Sequence, residues 1–159
     1  MMKIFPSEPN MINTVLIASL ILAGFAMISK SYASVSAIEE YELQEHCGKR
    51  AAEIYNKQFG SRGVINTEHG QALVEYTNHY NKKLRKCFVL QTYRNIPYKD
   101  KVHQSFIMQK LYDINENKIY GDYFKSDGMN MPTSCTVGNQ VICHSEQEWS
   151  ALVKPYMED

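Results

Sequence analysis

Four cysteines hold most of the reactive potential of this chain: Cys47, Cys87, Cys135 and Cys143. The last two stand in Ser134-Cys135-Thr136-Val137-Gly138-Asn139-Gln140-Val141-Ile142-Cys143-His144, eight positions apart with a histidine beside the second. Three chemistries use such residues. A tetrahedral metal site needs closely spaced cysteine pairs or histidines sharing a helix face, and no second His or Cys stands nearby. A thiol exchange centre needs the tight C-x-x-C spacing that lowers a thiol pKa, and this spacing is too wide. A structural disulfide needs only an oxidising compartment and a small domain that gains from a staple. The cysteines therefore read as a disulfide framework. Four cysteines permit three pairings, and proximity favours Cys135 with Cys143, leaving Cys47 with Cys87.

The other reactive side chains organise less well. His46, His69, His79, His103 and His144 stand in no H-E-x-x-H arrangement, and no G-x-S-x-G elbow, phosphate loop or dinucleotide fingerprint occurs. Bridged cysteines leave no thiolate for a histidine to activate, so the histidines read as surface or core-edge residues. Asp113-Ile114-Asn115-Glu116-Asn117 opens like a calcium loop. Lys118 then replaces the glycine that bends such loops and Phe124 the bidentate glutamate, so the run reads as a turn. Met129, Met131 and His144 are soft ligands of the kind copper takes, but two loop methionines make a thin site. No metal or cofactor is expected.

The chain start leads one to expect these residues outside the cytoplasm. Val15 to Ile28 is an apolar run of 14 residues preceded by Lys3 and followed by small residues, the layout of a secretory signal. It is short for a membrane span of roughly 20 residues. Cleavage is expected after Ala33, with Ala37 as the alternative site and an uncleaved anchor as the alternative fate. Ser36 and Glu39 form an S-x-x-E capping box that cleavage after Ala33 preserves. The exported residues 34–159 then make one disulfide-stabilised domain. Removal of Lys3, Lys30 and Glu8 from 17 basic and 17 acidic residues leaves 15 and 16, so global charge selects no partner.

Charge is nevertheless uneven. Lys82, Lys83, Arg85, Lys86, Arg94, Lys99, Lys101 and Lys110 face only Asp100 within residues 82–110, interleaved with Tyr80, Phe88, Tyr93, Tyr98 and Phe106. Lys82, Lys83, Arg85, Lys86 and Arg94 are the candidate binding face, for an acidic protein or a headgroup. Export argues against nucleic acid. The plainer reading is solvated strand edges whose lysines discourage edge pairing.

The elements that must carry these residues begin with a helix over 38–59. Leu43, Cys47, Ala51, Ile54 and Gln58 form its apolar stripe beside Tyr55 and Phe59, acids lead, bases trail, and Gly60 stops it. A loop over 61–70 follows. Four strands are then expected near 72–80, 84–94, 103–113 and 118–125. Helical spacing of Leu73, Tyr76, Tyr80, Leu84, Cys87 and Gln91 offers a helix over 71–91 instead, but Thr77, Asn78 and Asn81 are poor helix formers, which favours the hairpin. A second S-x-x-E box at Ser145 opens a final helix over 146–157 with Trp149, Leu152, Val153 and Tyr156 inward, and Pro155 near its end.

The stapled stretch must be a hairpin of defined register. If Cys135 faces Cys143, then Thr136 faces Ile142, Val137 faces Val141, and Gly138-Asn139-Gln140 is a three-residue loop. Cys135, Val137, Val141 and Cys143 would share the inner face. The expected fold is a two-layer α+β domain: an N-terminal helix on a four-stranded antiparallel meander, a stapled small hairpin and a C-terminal helix.

Three segments together, HYNKKLRKCF from His79, LYDINENKIYG from Leu111, and Cys135 through Trp149, resemble a pattern in small exported proteins of Gram-negative bacteria that have no assigned activity. The resemblance implies export and disulfides and transfers no catalytic residue. Function is therefore expected to be non-enzymatic: a periplasmic or secreted protein binding another protein or an envelope component, through the basic face or the hairpin tip. The alternative is a small envelope hydrolase that joins a histidine and a carboxylate by folding, for instance Glu68 and His69 with a distant partner.

Overall fold

The computed structural model describes residues 36–99 and 104–159. The signal-like run, the expected cleavage point after Ala33, Lys101 and His103 lie outside the described residues. Helix α1, Ala37–Phe59, starts as the capping box requires: Ser36 Oγ accepts the Glu39 backbone N–H at 3.2 Å. Gly60, at φ 71°, ends it in a conformation that suits glycine. Cys47 and Ala51 are buried and Tyr55 and Phe59 half-buried. Ile54 and Gln58, expected on the same stripe, are exposed. The buried line runs through 47, 51 and 55 in four-residue steps, which leaves 54 and 58 to one side.

The strands are β1 Val64–Thr67, β2 Gly70–Asn81, β3 Lys86–Pro97, β4 Phe106–Asp113, β5 Lys118–Ser126, β6 Ser134–Val137 and β7 Val141–Ile142, followed by helix α2, Glu146–Met157. All seven form one antiparallel sheet in chain order. The α+β class and the hairpin over 71–91 stand, and the four-stranded meander is corrected to seven strands. Val64–Thr67 pairs with β2 across the Glu68-His69 turn; a four-residue run carried too little pattern to read as a strand. The stapled hairpin is not separate either. Gly121 to Phe124 of β5 pair with Val137 to Ser134 of β6, extending the sheet.

Two layers become three. Even-numbered β2 residues face α1: Asn78 Nδ2 lies 3.9 Å from Cys47 Sγ, and the Tyr80 N–H donates to Gln44 Oε1 at 2.8 Å. Pairing of Tyr80 with Cys87 puts the odd residues of β3 on that face, so Phe88 points the other way, onto Tyr156 of α2 with ring centroids 5.2 Å apart. Strand β3 is thus covered on both sides, which explains why Cys87, Phe88 and Val89 are all buried in succession. The principal core lies under α2: Phe88, Leu111, Tyr123, Val137, Trp149 and Val153 around the Cys135–Cys143 bridge. Gly121 makes room for Trp149, since a Cβ there would sit 2.9 Å from the indole.

Both expected disulfides are present: Cys47–Cys87 ties α1 to β3, and Cys135–Cys143 closes the β6–β7 hairpin. The hairpin register is as required, with Thr136 opposite Ile142 and Val137 opposite Val141. Gly138 and Gln140 take φ values of 63° and 65° in the three-residue loop. Val141, expected inside, is 50% exposed because β7 is a two-residue edge strand. No helix of the described residues is long and apolar enough to cross a membrane.

Candidate binding cleft

The basic residues separate once folded. Asn81, fully buried, accepts the Leu84 N–H at 2.9 Å and donates to the Pro155 carbonyl at 2.9 Å, fixing the β2–β3 turn against the end of α2. Lys82, on that turn, lies 3.0 Å from Glu40 and 3.3 Å from Asp159, hydrogen bonds that raise its pKa. Lys83 and Arg85 are exposed beside it. Lys86 turns inward, 2.7 Å from the fully buried Asp113 and 2.6 Å from Glu116. Those hydrogen bonds, Asp113 first, raise the Lys86 pKa against the opposing effect of burial. Arg94 stands opposite Leu73 and Ile107, on the α2 side of the sheet. At about 3.3 Å per strand residue it is roughly 25 Å along β3 from Lys86. The turn therefore unites Lys82, Lys83 and Arg85; Lys86 is engaged by carboxylates, and Arg94 is remote.

The calcium-like run is a turn closed by its own aspartate. Asp113 Oδ1 accepts the N–H groups of Asn115 at 3.0 Å and Glu116 at 3.3 Å, and its other oxygen is held by Lys86. His79 lies 3.3 Å from Asp159 and His144 3.6 Å from Glu148, while His46 and His69 are exposed. Burial works against the Asp159 carboxylate, but hydrogen bonds from Lys82 and His79 outweigh it and lower its pKa. Glu68 and His69 occupy the exposed β1–β2 turn. Among the described residues no group of three or more His, Cys, Asp or Glu side chains is placed to hold a metal.

A cleft that sequence reasoning missed opens between the C-terminal half of α1 and the sheet. Its inner part, about 240 Å³, has Ile54, Tyr55, Gln58 and Phe59 as the helical wall and Tyr76, Val89, Gln91 and Tyr112 as the floor. Asn117 and Ile114 of the β4–β5 turn close one end. A second part, about 220 Å³, shares Gln58, Phe59, Gln91 and Tyr112 and continues to Tyr93, Met108 and Lys110. Register explains the convergence: Val89 faces Tyr112, Gln91 faces Lys110, and Tyr93 faces Met108 across β3 and β4. No single strand marks the cleft in the sequence, because its floor forms only once β3 and β4 are paired.

The lining is aromatic and neutral-polar. Tyr55 and Tyr76 rings meet with centroids 4.5 Å apart, and the Tyr55 hydroxyl donates to the Val74 carbonyl. Burial raises the Tyr55 pKa, aided by Tyr76 and Glu75; burial likewise raises that of Tyr112, aided by Asp122. Both phenols stay protonated near neutrality. Gln58, Gln91, Asn117 and the Tyr76 and Tyr112 hydroxyls make no hydrogen bond with other described residues. The one carboxylate in the lining, Asp113, is already engaged. Both cysteine pairs are oxidised, so no thiol is available there or elsewhere. Such an arrangement can bind by ring faces and neutral hydrogen bonds. No family model, curated relative or solved structure matches the chain.

Proposed function

We propose that this is a non-enzymatic protein of the bacterial envelope, exported to the periplasm or secreted after loss of residues 1–33, that holds an envelope component in the cleft between α1 and the sheet. The observation that carries the reading is the cleft's lining: aromatic faces beside amide and phenol groups that have no partner within the described fold. Small-molecule sites commonly combine an apolar lining with a few placed polar groups, in roughly 300–1,000 Å³. The two connected parts, about 240 and 220 Å³, reach that range together. Two disulfides support an oxidising compartment. On the β2–β3 turn Lys83 and Arg85 are the cations left to an acidic partner, and they lie on a different part of the surface.

The test is retention of solubilised envelope material by the immobilised, oxidised protein. Retention should fall at least tenfold for Tyr112→Ala and for Gln91→Leu and persist for the Lys83→Glu/Arg85→Glu pair. Retention that follows the turn substitutions, or no retention at all, would contradict the reading.

A further inference from the structure

We infer that the cleft's ligand is a glycan, specifically a neutral linear chain of N-acetylhexosamines; this rests on the binding reading above and adds its chemical class. The first ground is the hydrogen-bonding inventory. Amides of Gln58, Gln91 and Asn117 and hydroxyls of Tyr76 and Tyr112 can each donate and accept, and all lack a partner within the described residues. Sugar hydroxyls and acetamido groups also donate and accept, so they satisfy such a set in either direction. A ligand bearing strong charge would call for a matching ion. The cleft supplies Lys110, which already lies 3.9 Å from Asp122, and Asp113, which is held by Lys86.

The second ground is the run of ring faces. Past the cleft, Tyr93, Phe106 and Phe124 stand side by side on β3, β4 and β5, with centroids 5.7 and 5.2 Å apart. The register places all three on the same sheet face as Gln91 and Tyr112, and each is half-buried. Helix α1 packs on β2 and β3, so this row extends the groove beyond the helix. Pyranose rings present an apolar C–H face to such platforms while their edges hydrogen-bond, the same division of labour that places amphipathic aromatics at polar–apolar boundaries. A row of rings flanked by amides accommodates a polymer of repeating rings better than a single compact ligand.

The third ground weighs against the other macromolecules. A peptide that binds by adding a strand needs a free sheet edge, whereas this groove is floored by the face of β3 and β4, interior strands whose main chains pair with neighbours on both sides. A lipid chain needs an apolar tunnel, and here amides and phenols line both parts of the cleft.

Titration calorimetry of the full oxidised protein with chitotetraose tests this, with cellotetraose, an extended neutral heptapeptide and phosphatidylglycerol vesicles as the other arms. The expected result is saturable chitotetraose binding, weakened at least tenfold by Tyr112→Ala, by Gln91→Leu and by Phe106→Ala, unchanged by Lys83→Glu/Arg85→Glu, and stronger than for cellotetraose. Circular dichroism of each variant separates lost binding from lost folding, and Gln91→Glu supplies a second near-isosteric variant. Cleft-dependent binding of the peptide or vesicles alone would overturn the glycan assignment while leaving the cleft as the site. Binding of no probe, with envelope material still retained in a cleft-dependent way, would also overturn only the glycan. Chitotetraose binding indifferent to all the cleft substitutions would overturn both.

Discussion

Replacing Cys47 and Cys87 together by alanine should release α1 before the rest of the fold unfolds. The bridge spans 40 positions and the Cys135–Cys143 bridge spans 8. On the chain-entropy model the larger loop contributes about 3.9 kcal/mol and the smaller about 2.6 kcal/mol. The two losses should differ in kind as well as size. In the 23 residues of α1 only Cys47 and Ala51 are buried, so without the bridge the helix keeps Tyr55, Phe59 and two hydrogen bonds to β2 as its main anchors. The Cys135–Cys143 bridge sits instead inside the α2 core beside Trp149. Trp149 is the only tryptophan and is buried in that core, so its fluorescence reports α2 and the sheet, while far-ultraviolet circular dichroism also reports α1. Urea titration of the Cys47→Ala/Cys87→Ala protein should show ellipticity falling ahead of fluorescence. In the Cys135→Ala/Cys143→Ala protein the two probes should shift together. Coincident transitions in the first variant, or a loss under about 1 kcal/mol, would refute the assignment of α1 as a clamped and otherwise weakly held element.

Three further outcomes are expected. Lys86→Met should destabilise more than Asp113→Asn, and the double variant should recover part of the loss, because Lys86→Met strands the buried Asp113 carboxylate; chemical denaturation of all three checks this. Gly121→Ala should cost about 1–3 kcal/mol through overpacking against Trp149, with a change in tryptophan emission as the local readout. Asp159, whose pKa is lowered in the folded protein, contributes stability that is present above its unfolded value near 3.8 and lost as pH falls through the folded value. Melting of wild type and Asp159→Asn should therefore differ at about pH 6 and converge below about pH 3.

The helices, the disulfide pairing and the hairpin register were legible because each follows from local rules: a capping box, a glycine stop, and two cysteines that must sit opposite one another. The limits are equally physical. Val64–Thr67 is too short to show alternation, and it becomes a strand through pairing with β2. Cys87, Phe88 and Val89 obscure alternation because helices cover both faces of β3. The basic cluster read as one face because sequence shows charges and not their partners; Lys86 is drawn to Asp113, 27 positions away. The cleft was invisible for the same reason. Gln91 and Lys110, or Val89 and Tyr112, become neighbours only through the β3–β4 register.

Amide chemical-shift mapping with the envelope fraction that the protein retains is the most direct test of the binding site. The shifts should centre on Gln58, Gln91 and Tyr112 and extend toward Tyr93, the site proposed above. Shifts centred on Lys82 to Arg85, or on the Gly138 to Gln140 tip, would contradict it.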